Sequence, residues 1–129
     1  MASPAPGPTN LGVAPNVGGL LCYVPCCIGL VFSLVAVIAE KQSRFLRFHA
    51  FQSLLVHAAL IVIGLGLMFV GIVLAVANLG IISLLLHLVQ VVVGLGALGL
   101  FIFLMIKANG GEEFTLPVVG EMARKWAQT

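Results

Sequence analysis

From Ala50 to Ile106 the chain contains no Asp, Glu, Lys or Arg. An uncharged stretch of this length has no face to offer water, so its solvent must be lipid or other protein. A hydrocarbon core of ~30 Å takes about 20 helical residues per crossing. The stretch is therefore too long for one span and fits two. The break is expected at Ala77-Asn78-Leu79-Gly80, where Asn and Gly supply turn chemistry. That places spans at about 50–77 and about 81–106.

A further span is expected upstream, from about Val17 to Ala39, which is also uncharged. Pro25 lies within it and should kink the helix or start its regular part, because proline removes one backbone donor. Composition agrees with a lipid-solvated chain. Charged residues are 8% and hydrophobic residues 61% of the sequence, with a mean hydropathy of +1.22, whereas an ordinary soluble domain is about 25% charged. The net charge of +2 is too small to point to nucleic acid. The expected fold is all-α: an integral membrane bundle of three transmembrane helices over 17–107, plus a short C-terminal amphipathic helix at the interface. Residues 1–16, with Pro4, Pro6, Pro8 and Pro15, read as a disordered tail.

The tail over 108–129 reads as cytoplasmic. After Pro117, Val118, Val119, Met122, Ala123 and Trp126 form one apolar face, and Glu121 and Lys125 are spaced for an i,i+4 pair. Such a helix is expected to lie on the membrane surface with Trp126 at headgroup level. With three spans, the N-tail and the 77–80 turn share one side and hold no Lys or Arg. The 40–49 loop and the C-tail share the other and hold all six: Lys41, Arg44, Arg47, Lys107, Arg124 and Lys125. The positive-inside rule then puts the N-terminus outside and the C-terminus in the cytoplasm of a cell (inner) membrane.

The densest polar pattern runs from Glu40 to Ser53. Arg44, Arg47 and His49 are suited to lipid phosphates, arginine through bidentate contact, and Lys41 adds to the attraction of an anionic leaflet. Phe45 and Phe48 would anchor the apolar side. Glu121 could instead pair with Arg44 or Arg47 and close that face. Glu40, Gln52 and Ser53 complete the candidate lipid- or partner-binding set. Deeper in the spans, His57 continues the stripe of His49, Gln52 and Ser53, while Ser83, His87 and Gln90 form a stripe on the last helix. These are expected to make inter-helix hydrogen bonds that fix packing; the competing reading is a proton or substrate path. His57 and His87 should lie at different depths and share no ligand.

Cys22, Cys26 and Cys27 sit in an apolar run and read as small polarizable packing residues rather than a metal site, which would need four ligands. Ser53-to-His57 with Gly64 and Gly66 recurs thirty positions later as Ser83-to-His87 with Gly94 and Gly96, an inverted-repeat pattern on antiparallel spans. The glycine pairs would allow close helix approach, and Gly71 with Ala75 could serve an oligomer. No nucleotide loop, nucleophile elbow, HExxH pair or carboxylate dyad is present, and no cofactor is implied.

The run Glu40-Lys41-Gln42-Ser43-Arg44-Phe45-Leu46-Arg47-Phe48-His49-Ala50-Phe51-Gln52-Ser53, with the tail segment Phe114-Thr115-Leu116-Pro117-Val118-Val119-Gly120-Glu121, resembles the bacterial Tic20-like small membrane proteins, distant relatives of the chloroplast inner-envelope import component. The resemblance implies a link to protein translocation. The expected function is that of a non-enzymatic scaffold or subunit of a membrane complex, homo-oligomeric or larger, in contact with anionic headgroups. The alternative is a small oligomeric transporter or channel lined by His57, His87 and Gln90.

Overall fold

The computed structural model describes residues 8–129, and the secondary structure over that range is helical. Five helices follow in order: α1 (Pro15–Cys22), α2 (Cys27–Ala39), α3 (Arg44–Val76), α4 (Gly80–Asn109) and α5 (Val119–Ala127). Two of them, α3 and α4, are long and apolar enough to cross a membrane. At 33 and 30 residues they extend roughly 50 and 45 Å at 1.5 Å per residue, more than a hydrocarbon core requires. They form an antiparallel pair joined at Ala77–Leu79, where Asn78 takes a left-handed φ of 63°. Short polar Asn tolerates that conformation better than most residues.

The expected first span is overturned. It is a helical hairpin of 8 and 13 residues, roughly 12 and 20 Å long, and neither arm reaches across a bilayer. Pro25 is the cause: it lacks an N–H and biases Val24 away from helix. The chain breaks over 23–26, with Cys26 at φ 71°, and turns back on itself. Gly29 makes the return possible. A Cβ there would sit 2.8 Å from the Cys22 carbonyl oxygen and closer still to that of Val24, so only glycine leaves room for the turn to fold over the start of α2.

Both ends of the hairpin emerge on one face. The Asn10 N–H donates to Glu40 Oε2 at 2.8 Å, and Asn10 Oδ1 accepts from the N–H groups of Lys41 (2.8 Å) and Gln42 (3.0 Å). Asn16 Nδ2 donates to the Asn109 carbonyl at 3.3 Å. The segment from residue 8 onward therefore lies beside the 40–43 loop and the C-terminal segment, not across the membrane from them as three crossings require. Of the tail expected to be disordered, residues 1–7 lie outside the described residues. The remainder is folded: Thr9 Oγ1 donates to the Val13 carbonyl at 2.6 Å, and Pro15 opens α1, where its missing N–H costs nothing.

Packing is concentrated at the charged end. α1 lies against α3 and α4 through small residues: a Cβ on Gly18 would meet Leu46 at 3.0 Å, and one on Gly19 would meet Ala108, His49 and Phe45 at 3.2 Å. α2 meets α3 through Ala36, buried with Leu46 and Ala50, and turns Gly29 and Ser33 to the hairpin bend, while Ile28, Val31, Leu34, Val35 and Ile38 face outward. The amphipathic helix forms as α5. Its small side, Gly120, Ala123 and Ala127, is buried, with Ala123 and Ala127 against Phe48, and Trp126 stacks edge-on to Phe51 with centroids 5.7 Å apart. The helix thus docks on protein through its small side, of which Ala123 alone belongs to the expected apolar face, while Val118, Met122 and Trp126 of that face stay exposed.

At the other end α3 and α4 touch each other. Ser83 Oγ donates to the Gly71 carbonyl at 3.1 Å, and a Cβ on Gly71 would meet His87 Cε1 at 3.1 Å. Gly71 is thus occupied within the chain rather than offered to an oligomer. The close helix approach expected at Gly64, Gly66, Gly94 and Gly96 does not occur, since nothing lies within 4 Å of a Cβ at any of them.

Candidate functional site

The residues of the 40–53 pattern meet at one place, where the base of α3 is wrapped by four other segments. Ser43 caps α3, its side chain accepting from the Leu46 N–H at 3.2 Å. Glu40 closes the preceding loop: Oε1 accepts from the N–H groups of Gln42 (2.8 Å) and Ser43 (2.9 Å), and Oε2 from Asn10. Burial opposes the charged carboxylate, yet the backbone N–H groups of Ser43, Gln42, Asn10 and Leu11 outweigh it and hold the Glu40 carboxyl below its ordinary value. Its side chain is fully covered, chiefly by its own loop at the rim of the fold.

A depressed carboxyl pKa stabilises the fold above the unfolded value of about 4.5 and loses that contribution as pH falls through the folded value. Glu40→Gln should therefore lower the thermal midpoint in detergent at about pH 7, with the gap to the native chain closing as the buffer is taken well below the ordinary carboxyl value of 4.5. A gap independent of pH would refute the role given to the carboxylate.

Arg47 is buried as well. Nη1 donates to the Glu40 carbonyl at 2.9 Å and Nη2 to the Thr129 carbonyl oxygen at 3.3 Å, and the guanidinium lies 5.6 Å from the Phe51 ring centroid. The pairings expected of Glu121, with Arg44, Arg47 or Lys125, do not form; the ion pair among the described residues is Lys107–Glu112 at 3.0 Å.

The centre is a chain of hydrogen bonds whose direction is fixed by its ends. His49 Nε2 faces the Glu112 carbonyl at 3.1 Å. A carbonyl can only accept, so Nε2 carries the proton and Nδ1 accepts from the Tyr23 hydroxyl at 2.9 Å. The hydroxyl oxygen in turn accepts from Gln52 Nε2 at 2.9 Å. The second Nε2 proton goes to the Phe114 carbonyl at 2.9 Å, and Oε1 accepts from the Leu116 N–H at 3.1 Å. Tyr23, His49 and Gln52 are all fully buried. Ser53 Oγ donates to the Cys22 carbonyl at 2.5 Å. One face of α3 thus binds the hairpin tip with Ser53 and the 112–116 segment with Gln52, while His49 and Tyr23 join the two. Gly120 belongs to the same junction: a Cβ there would lie 2.8 Å from Gln52 Oε1 and would clash with Thr115.

Of the nine residues expected to meet lipid or a partner, Lys41 and Arg44 are exposed. Glu40, Phe45, Arg47, Phe48, His49, Gln52 and Ser53 are buried in the fold. Phe45 and Phe48 flank His49 edge-on, at 4.5 and 5.0 Å between centroids, rather than facing acyl chains. Of the deeper polar residues, His57 touches the junction through Ser53, while Ser83, His87 and Gln90 have their partners elsewhere on α3 and α4. His57 and His87 repeat one local motif, each Nδ1–H donating to a serine carbonyl four residues back, Ser53 at 2.8 Å and Ser83 at 2.7 Å. Gln90 reaches across to the Gly64 carbonyl at 3.5 Å. It lines a cavity of about 270 Å³ between α3 and α4 with Leu60, Gly64, Leu67 and Gly94. Cys22 is buried, but Cys26 and Cys27 are exposed at the hairpin tip rather than packed. No group of three or more metal-ligating side chains occurs among the described residues.

Sequence reasoning missed Tyr23, Asn10 and the tail backbone. Tyr23 carried a signal, since it is the chain's single tyrosine and a buried phenol needs a partner for its hydroxyl. Asn10, in a proline-rich segment, carried none.

Comparison with known proteins covers nearly the whole chain. The profile of the MamF/MmsF family, described as a magnetosome magnetite crystal formation protein family, matches residues 9–123. A UPF0132 membrane protein of Methanocaldococcus jannaschii is 34% identical over 124 residues, 95% of this chain and 96% of the relative. A second from the same organism is 33% identical over 90% of this chain and 72% of its own length. One from Archaeoglobus fulgidus is 31% identical over 85% of this chain and 92% of its own. No solved structure matches. These matches overturn the Tic20-like resemblance: the family profile that covers both the 40–53 pattern and the 114–121 segment is a different one.

Proposed function

The chain belongs to the MamF/MmsF family, whose UPF0132 relatives are named as membrane proteins, and from that membership and the geometry above we propose that it is a non-enzymatic scaffold or subunit of a membrane complex. The observation that carries this reading is the destination of the polar pattern. Tyr23, His49 and Gln52 have their donors and acceptors engaged by one another and by the backbone of residues 112–116. A general acid, base or nucleophile needs a free group within reach of a substrate, and these groups are committed to holding the fold.

The charged face carries all six basic side chains and is taken as cytoplasmic by the positive-inside rule. Exposed Lys41 and Arg44 face anionic headgroups there. Among the described residues, the opposite face presents the Ala77–Leu79 turn. Magnetite crystal formation, the description attached to the family, comes to this chain as a role in organising a membrane. The partner-binding region is the half of α3 and α4 beyond His57, where the glycine-lined cleft at Gly64 and Gly94 admits another helix.

A photocrosslinking residue at position 94, used in native membranes, should give discrete adducts with membrane protein, this chain or another. Adducts with lipid alone would refute the scaffold reading. Ion or solute flux in proteoliposomes that disappears with His57→Leu would favour a transporter instead.

A further inference from the structure

The helices are distributed unequally across the bilayer. The hairpin enters and leaves on the charged face, where Asn10 bonds to the Glu40 loop. Its tip is pinned at Ser53 and His49, and Ser53 lies roughly 13 Å along α3 from Arg44. Half of a hydrocarbon core is ~15 Å, and the longer arm, α2, measures roughly 20 Å, so the hairpin ends about the midplane and well short of the opposite face. Its outer surface belongs to lipid: Ile28 and Ile38 are 64% and 65% exposed, and Val31, Leu34 and Val35 lie between them on the same apolar side. Cys27, Ile28, Val31, Phe32 and Val35 line a wholly apolar groove along that side. Beyond His57 and before Phe101, nearly all residues of α3 and α4 are exposed or half-buried.

One leaflet therefore contains four helix cross-sections, those of α1 to α4, with α5 docked at its rim, and the other contains two. With helix diameters of about 10–12 Å, the difference is on the order of 200 Å² per molecule. We infer that the chain is a leaflet-asymmetric wedge whose preferred partner is a strongly curved bilayer, with the charged face on the convex side. The inference rests on the two-span membrane reading and adds to it a shape that flat membrane accommodates poorly. Inserted volume confined to one leaflet expands that leaflet relative to its opposite, and binding of this kind is sensitive to curvature. The apolar side of α2 cannot leave the lipid to relieve the mismatch, and the Asn10–Glu40 and Ser53–Cys22 bonds prevent the hairpin from opening into a full span.

The test uses the native chain, reconstituted into a mixed population of small sonicated and large extruded vesicles of one lipid composition. After an alkaline wash, protein per unit lipid area is measured in each size class. Lys41, Lys107 and Lys125 all lie on the charged face, so a membrane-impermeant amine reagent read out by peptide mass spectrometry reports orientation without any substitution. The expected result is a several-fold higher density on small vesicles, with these lysines labelled from outside in most molecules. Equal density in both classes, or lysines protected in the small vesicles, would overturn the wedge while leaving the membrane reading intact. Release of the protein by the alkaline wash would overturn both.

Discussion

Gly29→Leu is expected to destroy the hairpin turn and lower stability by about 3 kcal/mol, the upper part of the range for overpacking a close contact. The space a side chain would take is occupied by two backbone carbonyls, those of Cys22 and Val24. Backbone cannot rotate aside as a side-chain tip can. The Cys22 carbonyl is also the acceptor for Ser53 Oγ and for Ser33 Oγ at 3.2 Å, so a displaced turn leaves two buried hydroxyls short of a partner. Gly29→Ala should show the same effect in smaller measure, since the β-carbon alone makes the clash. Thermal melts in detergent, followed by circular dichroism, would check both. An unchanged midpoint for the leucine variant would mean that the turn does not fold over α2.

The second large effect is expected at Gln52. Gln52→Leu fills similar volume but removes the amide that serves Tyr23, Phe114 and Leu116. With the Phe114 carbonyl and the Leu116 N–H left short of partners, the loss should be roughly 2–4 kcal/mol. It should appear first as release of the tail: protease cleavage within 112–118 should accelerate while α3 and α4 stay intact. Gln52→Glu separates hydrogen bonding from shape. A carboxylate can still accept from Leu116 but cannot donate to the Phe114 carbonyl, so it too should release the tail. Native-like protection in the glutamate variant would contradict the role given to the Gln52 amide as donor to the Phe114 carbonyl.

The two long helices were legible because absence of charge over 50–106 and a turn at Asn78 are local facts, readable one residue at a time. The hairpin was not. Pro25 allows either a kinked span or a reversal, and the choice is made by contacts distant in sequence: Gly29 under the turn, Asn10 on Glu40, Ser53 on Cys22. Hydropathy is blind to the difference, because α2 is apolar whether it crosses the bilayer or enters one leaflet. The polar pattern from Glu40 to Ser53 was legible as a concentration of function-bearing residues, but its target was not. Arginine and histidine at a membrane interface suit a phosphate and a buried carbonyl equally well, and only the fold brings the Glu112 and Thr129 carbonyls within reach. Gly64 and Gly94 mislead in the opposite sense, since glycine permits close approach without requiring it.

Sidedness tests the central claim most directly. With the native cysteines replaced, single cysteines at Pro8, Lys41, Asn78 and Lys125 would be labelled in sealed membranes with an impermeant maleimide. Positions 8, 41 and 125 should react from one side and position 78 from the other. Labelling of position 8 together with position 78, opposite to 41, would mean that the N-terminal segment crosses the bilayer after all, and the hairpin, its polar junction and the wedge would fall together.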